Sequence, residues 1–213
     1  MKTTTALAVL KAASVLLMAG PAMAAAAPQP PAGAYALDPA HTSVTFRVIH
    51  LGFSHYTARF SRIEGQMQFD PAHPAAMVVT ASIDPLSLEL NTPPKGFHDQ
   101  LMGKGWFEAA QFPKLTFKST KVDVTGANTA RVTGELTLHG VTKPVVLDVT
   151  YNGGWTANAY DGNRVGFSAH TVLKRSAFGM GQGIPAPGTT MGVSDDVDVA
   201  IETEFGAGGP LKK

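Results

Sequence analysis

The sequence predicts an all-β domain of about eight antiparallel strands with one short helical insertion. Apolar residues alternate with polar ones at period 2 along most of the chain, the mark of strands with one buried face. Turn formers punctuate these runs at short intervals, glycine tolerating positive φ and proline fixing it. Only the stretch from Pro94 to Ala110 escapes the pattern. The pattern fits a barrel or a sandwich, and a barrel of about eight strands has room inside for one elongated ligand.

The runs follow in order. Val44, Phe46 and Val48 alternate with Ser43, Thr45 and Arg47. Ile63, Gly65, Met67 and Phe69 oppose Arg62, Glu64, Gln66 and Gln68, and Met77, Val79, Ala81 and Ile83 oppose Thr80, Ser82 and Asp84. Leu115 and Phe117 face away from Lys118 and Thr120. Val132, Leu136 and Leu138 precede Val145, Leu147, Val149 and Tyr151, with Gly140 to Pro144 read as the hairpin between them. Val165, Phe167, Ala169 and Thr171 form the seventh run, and Val197, Val199, Ile201 and Phe205 the last. Asp70-Pro71, Asn152-Gly153-Gly154 and Asp161-Gly162-Asn163 read as turns. In the insertion, Phe97, Leu101 and Trp106 are spaced like one side of a short helical segment.

The start of the chain has the grammar of a secretory signal peptide. A charged tip at Lys2, an apolar run to Gly20 and the small residues of Ala22-Met23-Ala24 predict export with cleavage after Ala24. The run is shorter than the ~20 residues a permanent span needs. An Ala/Pro-rich leader follows and is expected to be disordered.

Composition narrows the function. The formal net charge is +1, which argues against a nucleic-acid binder, since that needs a basic stripe. There is no cysteine, so thiol catalysis and disulfide exchange are excluded. The histidines at 41, 50, 55, 73, 98, 139 and 170 are scattered, and neither H-E-x-x-H nor a G-x-S-x-G elbow occurs. Gly179-Met180-Gly181-Gln182-Gly183 runs into Ile184-Pro185-Ala186-Pro187-Gly188 and opens no helix, so it reads as a mobile loop between strands instead of a phosphate cradle. His50 shares a strand face with Val44, Phe46 and Val48, where it serves either the core or a ligand head. No catalytic, metal or cofactor site is expected.

Five segments in order resemble the YceI-like family. They are Tyr35 to His50 (YALDPAHTSVTFRVIH), Trp106 to Ser119 (WFEAAQFPKLTFKS), Val132 to Val145 (VTGELTLHGVTKPV), Arg175 to Met180 (RSAFGM) and Val193 to Val197 (VSDDV). The resemblance spans roughly Gly33 to Phe205. The chain departs from the family at His98-Asp99-Gln100-Leu101, where Arg-Asp-x-His-Leu is usual, and at Ala177, where the family has aspartate.

The resemblance implies a lipocalin-like, eight-stranded antiparallel barrel in the bacterial periplasm that binds a polyisoprenoid lipid or isoprenoid quinone. Transient membrane contact is compatible with that role, and some family members are homodimers. The layout expected is a signal peptide at 1–24, the leader at 25–32, a lipid-binding barrel at 33–206 and a flexible tail at 207–213. Phe46, Val48, Phe60, Phe69, Leu101, Trp106, Phe107, Phe117, Leu136 and Phe167 are the expected tail contacts, with Leu101 to Phe107 as a cap. His41, His50 and Arg175 are the expected head-group contacts. The competing readings are a stress-protective or interaction module whose barrel is filled by its own side chains, and a small-ligand enzyme.

Overall fold

The computed structural model describes residues 29–158 and 161–207. The predicted signal peptide and the first part of the leader, 1–28, lie outside the described residues, as does the tail from 208 onward. Among the described residues eleven strands form one antiparallel sheet: β1 (Gly33–Leu37), β2 (Ser43–His50), β3 (Ser54–Phe60), β4 (Ile63–Phe69), β5 (Val78–Ile83), β6 (Leu88–Glu89), β7 (Leu115–Val124), β8 (Thr129–Leu138), β9 (Val141–Trp155), β10 (Arg164–Lys174) and β11 (Asp196–Ala207). Among the described residues one α-helix, α1 (Phe97–Met102), sits in the predicted insertion.

The sheet closes because β1 pairs with both β4 and β11. β2 pairs with the same strand β11 further along, Leu37 facing Phe205 and Val44 facing Ile201. β1 and β2 are therefore two halves of one long strand, bent at the 3-10 turn Pro39–His41, whose start Asp38 caps by accepting from the Ala40 N–H. β3 and β4 are likewise successive halves, pairing with β2 and β1 in turn. β5 pairs with β4, and beyond the turn Pro85–Ser87 β6 pairs with β3. Counted this way, the ring has eight strands, the first three of them bent. It is the expected eight-stranded antiparallel barrel.

Several local expectations are corrected. The hairpin read over Gly140 to Pro144 turns on His139 and Gly140 alone, both at positive φ (52° and 73°), and Val141 to Pro144 already belong to β9. Two-residue hairpins favour this mirror-image turn because it matches strand twist. Asn152-Gly153-Gly154 is no turn but the site of a bulge inside β9: Gly166 faces Gly153 and Phe167 faces Tyr151, leaving Asn152 extra. A second bulge leaves Thr120 extra in β7. The leader is packed at its end, since Pro30 is buried and the Tyr35 hydroxyl donates to the Pro31 carbonyl at 2.8 Å. Ala207, assigned to the tail, pairs with Tyr35 as the last residue of β11.

Two buried features set the wall. Arg164, at the start of β10, donates to Asp38 at 2.8 Å and to Asp161 at 2.6 Å, with the Asp38 and Arg164 side chains only 2% and 5% exposed. This ties the bend after β1 to a neighbouring region of the barrel. Gly134 gives room to Phe117, because a Cβ there would lie 2.3 Å from the ring. The interior faces then leave a hollow.

Candidate functional site

Period-2 alternation turns one face of every strand inward, and those faces enclose a cavity of about 930 Å³. Its volume is at the upper end of ordinary ligand sites. The cavity runs from the end carrying the β4–β5 and β7–β8 turns, at Pro71 and Asn128, to the end carrying α1, at His50 and Pro94. Among the described lining residues there is no aspartate, glutamate or lysine. Arg175 and His50 are the only side chains there that carry or can gain a positive charge. Such a lining can hold an elongated apolar molecule.

All ten apolar residues nominated from sequence line this cavity. Phe46 and Val48 reach it from β2, Phe60 from β3 and Phe69 from β4. Phe117, Leu136 and Phe167 come from β7, β8 and β10. Leu101, on α1, is buried, and Trp106 and Phe107 follow in the next turn. Phe107 meets Phe60 edge-on at 5.8 Å, and Phe60 lies 5.6 Å from Phe46, so the insertion packs on the barrel wall. A second aromatic group, Phe69, Tyr151 and Phe167, lines the other part with ring separations of 6.2 and 5.3 Å.

The three head-group nominees divide. His50 lines the cavity, at an exposed position. Arg175 lines it too and is buried, but most of its donors are engaged. Its Nε donates to Ser194, its Nη1 to Met180 and Gln182, and its Nη2 to Val193, all backbone carbonyls at 2.7–2.9 Å. The guanidinium also lies 5.5 Å from the Trp106 ring. Burial pushes the Arg175 pKa down, opposed by the Asp195 charge. The glycine-rich loop expected to be mobile is thus tied to Arg175, and Met180 within it is buried.

His41 does not line the cavity. Its ring Nδ1 lies 3.0 Å from Asp38 and 3.8 Å from Glu204, and its side chain is half exposed. Asp38, His41 and Glu204 bring their ligating atoms within 4.8 Å of one another. Asp38 Oδ2 already accepts from Arg164, so the group forms an ion network.

Sequence reasoning missed some polar lining. Tyr56 faces the cavity from β3, its hydroxyl accepting from the Asn91 N–H at 3.0 Å. The alternation of Tyr56, Ala58 and Phe60 with His55, Thr57 and Arg59 was the signal that could have found it. At the opposite end the Tyr151 hydroxyl donates to Gln29 Oε1 at 3.1 Å. Gln29 lay in the stretch read as leader. Burial raises the Tyr151 pKa, so its hydroxyl stays protonated.

The YceI-like domain model matches residues 35–205. A UPF0312 protein of Pseudomonas savastanoi pv. phaseolicola is 36% identical over 198 residues, covering 92% of this chain and 95% of that protein. The crystal structure of BcnA from Burkholderia cenocepacia is similar with a TM-score of 0.66 and 29% identity, over 79% of this chain and 98% of that one. A polyisoprenoid binding domain from Saccharophagus degradans shares the fold, with a TM-score of 0.57 at 18% identity over 81% of this chain and 98% of that one. The closed barrel, its ordered motifs and these matches lead to one conclusion: the chain belongs to the YceI-like family.

Proposed function

We propose that this protein is a periplasmic carrier that holds a long-chain polyisoprenoid, a prenyl lipid or an isoprenoid quinone, inside its barrel. The observation that carries the reading is the apolar cavity of about 930 Å³, reaching both ends of the barrel. A barrel filled by its own side chains does not fit that volume. The fold shared with a polyisoprenoid binding domain supports the ligand class.

The mechanism is physical. Burying roughly 400 Å² of isoprenoid surface at ~25 cal/mol per Å² stabilises the complex by about 10 kcal/mol. The cost of immobilising the chain is subtracted from that. Phe46, Phe60, Phe117, Leu136 and their neighbours take the tail. On this reading the head group sits at the end with Arg175 and His50, the two lining residues whose side chains carry or can gain a positive charge. The reading assigns no catalytic residue. Export fits the predicted signal peptide, and such a carrier touches a membrane when it loads or unloads.

The placement of Trp106 supplies the test. The chain has two tryptophans, and Trp155 does not line the cavity. In a Trp155→Phe variant, a long-chain isoprenoid quinone is expected to quench Trp106 fluorescence saturably, at one quinone per barrel. Fluorescence unchanged by quinone would overturn the proposal.

A further inference from the structure

The most exposed large apolar side chains among the described residues are Phe53 and Met191, at 86% and 75%. They are far apart in sequence, yet the backbone brings their loops together. The Leu51 N–H donates to the Gly192 carbonyl at 2.8 Å, and the Ser194 N–H donates to the Ile49 carbonyl at 2.9 Å. His50 forms a bridge with Val193, and a Cβ on Gly52 would touch Thr190 at 3.0 Å. Leu51 itself sits at positive φ (54°), which a non-glycine residue adopts at a cost. The two loops are therefore held as one unit that carries two apolar tips in solvent.

The unit stands at the cavity mouth. His50 and Val193 line the cavity, immediately beside these tips, and Thr92 to Pro94 line it from the facing loop. The mouth segments 50–56, 90–106 and 180–193 carry Lys95, Lys104 and Asp99, with His50, His55 and His98 in addition, and Glu108, just beyond, accepts from the Gly105 N–H and lies 3.4 Å from His139. At the opposite end, the described turns 70–77 and 125–128 carry Asp70 and His73.

We infer that this mouth docks on an anionic lipid bilayer, with Phe53 and Met191 inserted among the lipids and Lys95 and Lys104 near the headgroups. The inference rests on the carrier reading and deepens it, because an isoprenoid expelled from water passes most readily between two apolar phases in contact. Projecting apolar tips flanked by basic residues are the features of an interfacial anchor. Isolated tips are poorly shaped for a flat protein interface, which needs a broad packed patch. The docked mouth brings the cavity end bearing Arg175 and His50 to the membrane.

Flotation with vesicles of phosphatidylethanolamine and phosphatidylglycerol, against vesicles of phosphatidylcholine alone, tests this. The wild-type chain is expected to float with the anionic vesicles and to take up an isoprenoid quinone embedded in them. The double variant Phe53→Ser, Met191→Ser is expected to bind them about tenfold more weakly or worse. It should lose uptake from vesicles while still loading quinone dispersed from ethanol, which also shows that it folds. Lys95→Gln with Lys104→Gln is expected to erase the preference for anionic vesicles. Wild-type protein that stays unbound, or a double variant that floats as well as wild type, overturns the docking surface and leaves the tips to a protein partner. Vesicle binding decides the docking surface and loading from dispersion decides the carrier reading, so each can fail alone.

Discussion

The Arg175 guanidinium lies 5.5 Å from the Trp106 ring while donating to the carbonyls of Met180, Gln182, Val193 and Ser194. One side chain thus joins the 3-10 turn Arg175–Phe178, the glycine-rich loop and the part of the insertion that follows α1. It is both a clamp on the mouth and the one arginine among the cavity's described lining residues.

Replacing Arg175 by lysine is expected to destabilise the fold by on the order of 3 kcal/mol, because one ammonium cannot serve four dispersed carbonyls and buried acceptors lose their partners. Urea denaturation of the variant checks this. A midpoint equal to wild type would mean that the loop holds without the clamp.

A hollow interior responds to enlargement differently from a packed one. Ala169 lines the cavity from β10, between Phe167 and Thr171. Ala169→Trp is expected to change stability by no more than about 1 kcal/mol, whereas an added ring in a filled core costs about 1–3 kcal/mol. Quinone extracted per mole of protein should fall about tenfold or more, since the indole occupies the tail's path. A large loss of stability with undiminished loading would contradict a hollow lumen.

The network around Asp38 predicts a stability maximum in pH. The hydrogen bond to Asp38 raises the His41 pKa, aided by the Glu204 and Asp38 charges. Its contribution is complete below the unfolded value near 6.5 and is lost as pH rises through the higher folded value. Burial alone would raise the Asp38 pKa, but hydrogen bonds from His41, the Ala40 N–H and Arg164 outweigh it and hold the carboxyl below its usual range. That contribution is present above about 3.9 and disappears as pH falls through the lower folded value. Urea midpoints across pH should therefore decline on both sides. His41→Gln is expected to flatten the alkaline decline and to weaken the acid one only in part, because Arg164 and the Ala40 N–H still hold Asp38; an unaltered alkaline limb would assign it to another group.

The inward faces were legible because period-2 alternation is a local property, and each strand with polar contrast displays it. β1 lacked that contrast: Ala34 and Ala36 stand where polar residues would mark an outer face, and the strand is defined by its two partners instead. β6 is two residues long and leaves no period. The bulges at Thr120 and Asn152 reset the alternation through pairing that no single segment encodes. The head-group nominees show the same limit. His41 and His50 both flank the first apolar run, yet the bend at Pro39–His41 turns one toward Asp38 while β2 carries the other to the mouth. The Arg175 cage was invisible because its acceptors are backbone carbonyls, which every residue possesses.

Native mass spectrometry of the protein recovered from the periplasm of an expressing bacterium, followed by organic extraction, tests the carrier reading most directly. The account predicts a co-purifying isoprenoid of defined mass, one per barrel, released into the organic phase. An apo mass that stays unchanged after incubation with prenyl quinones would contradict it.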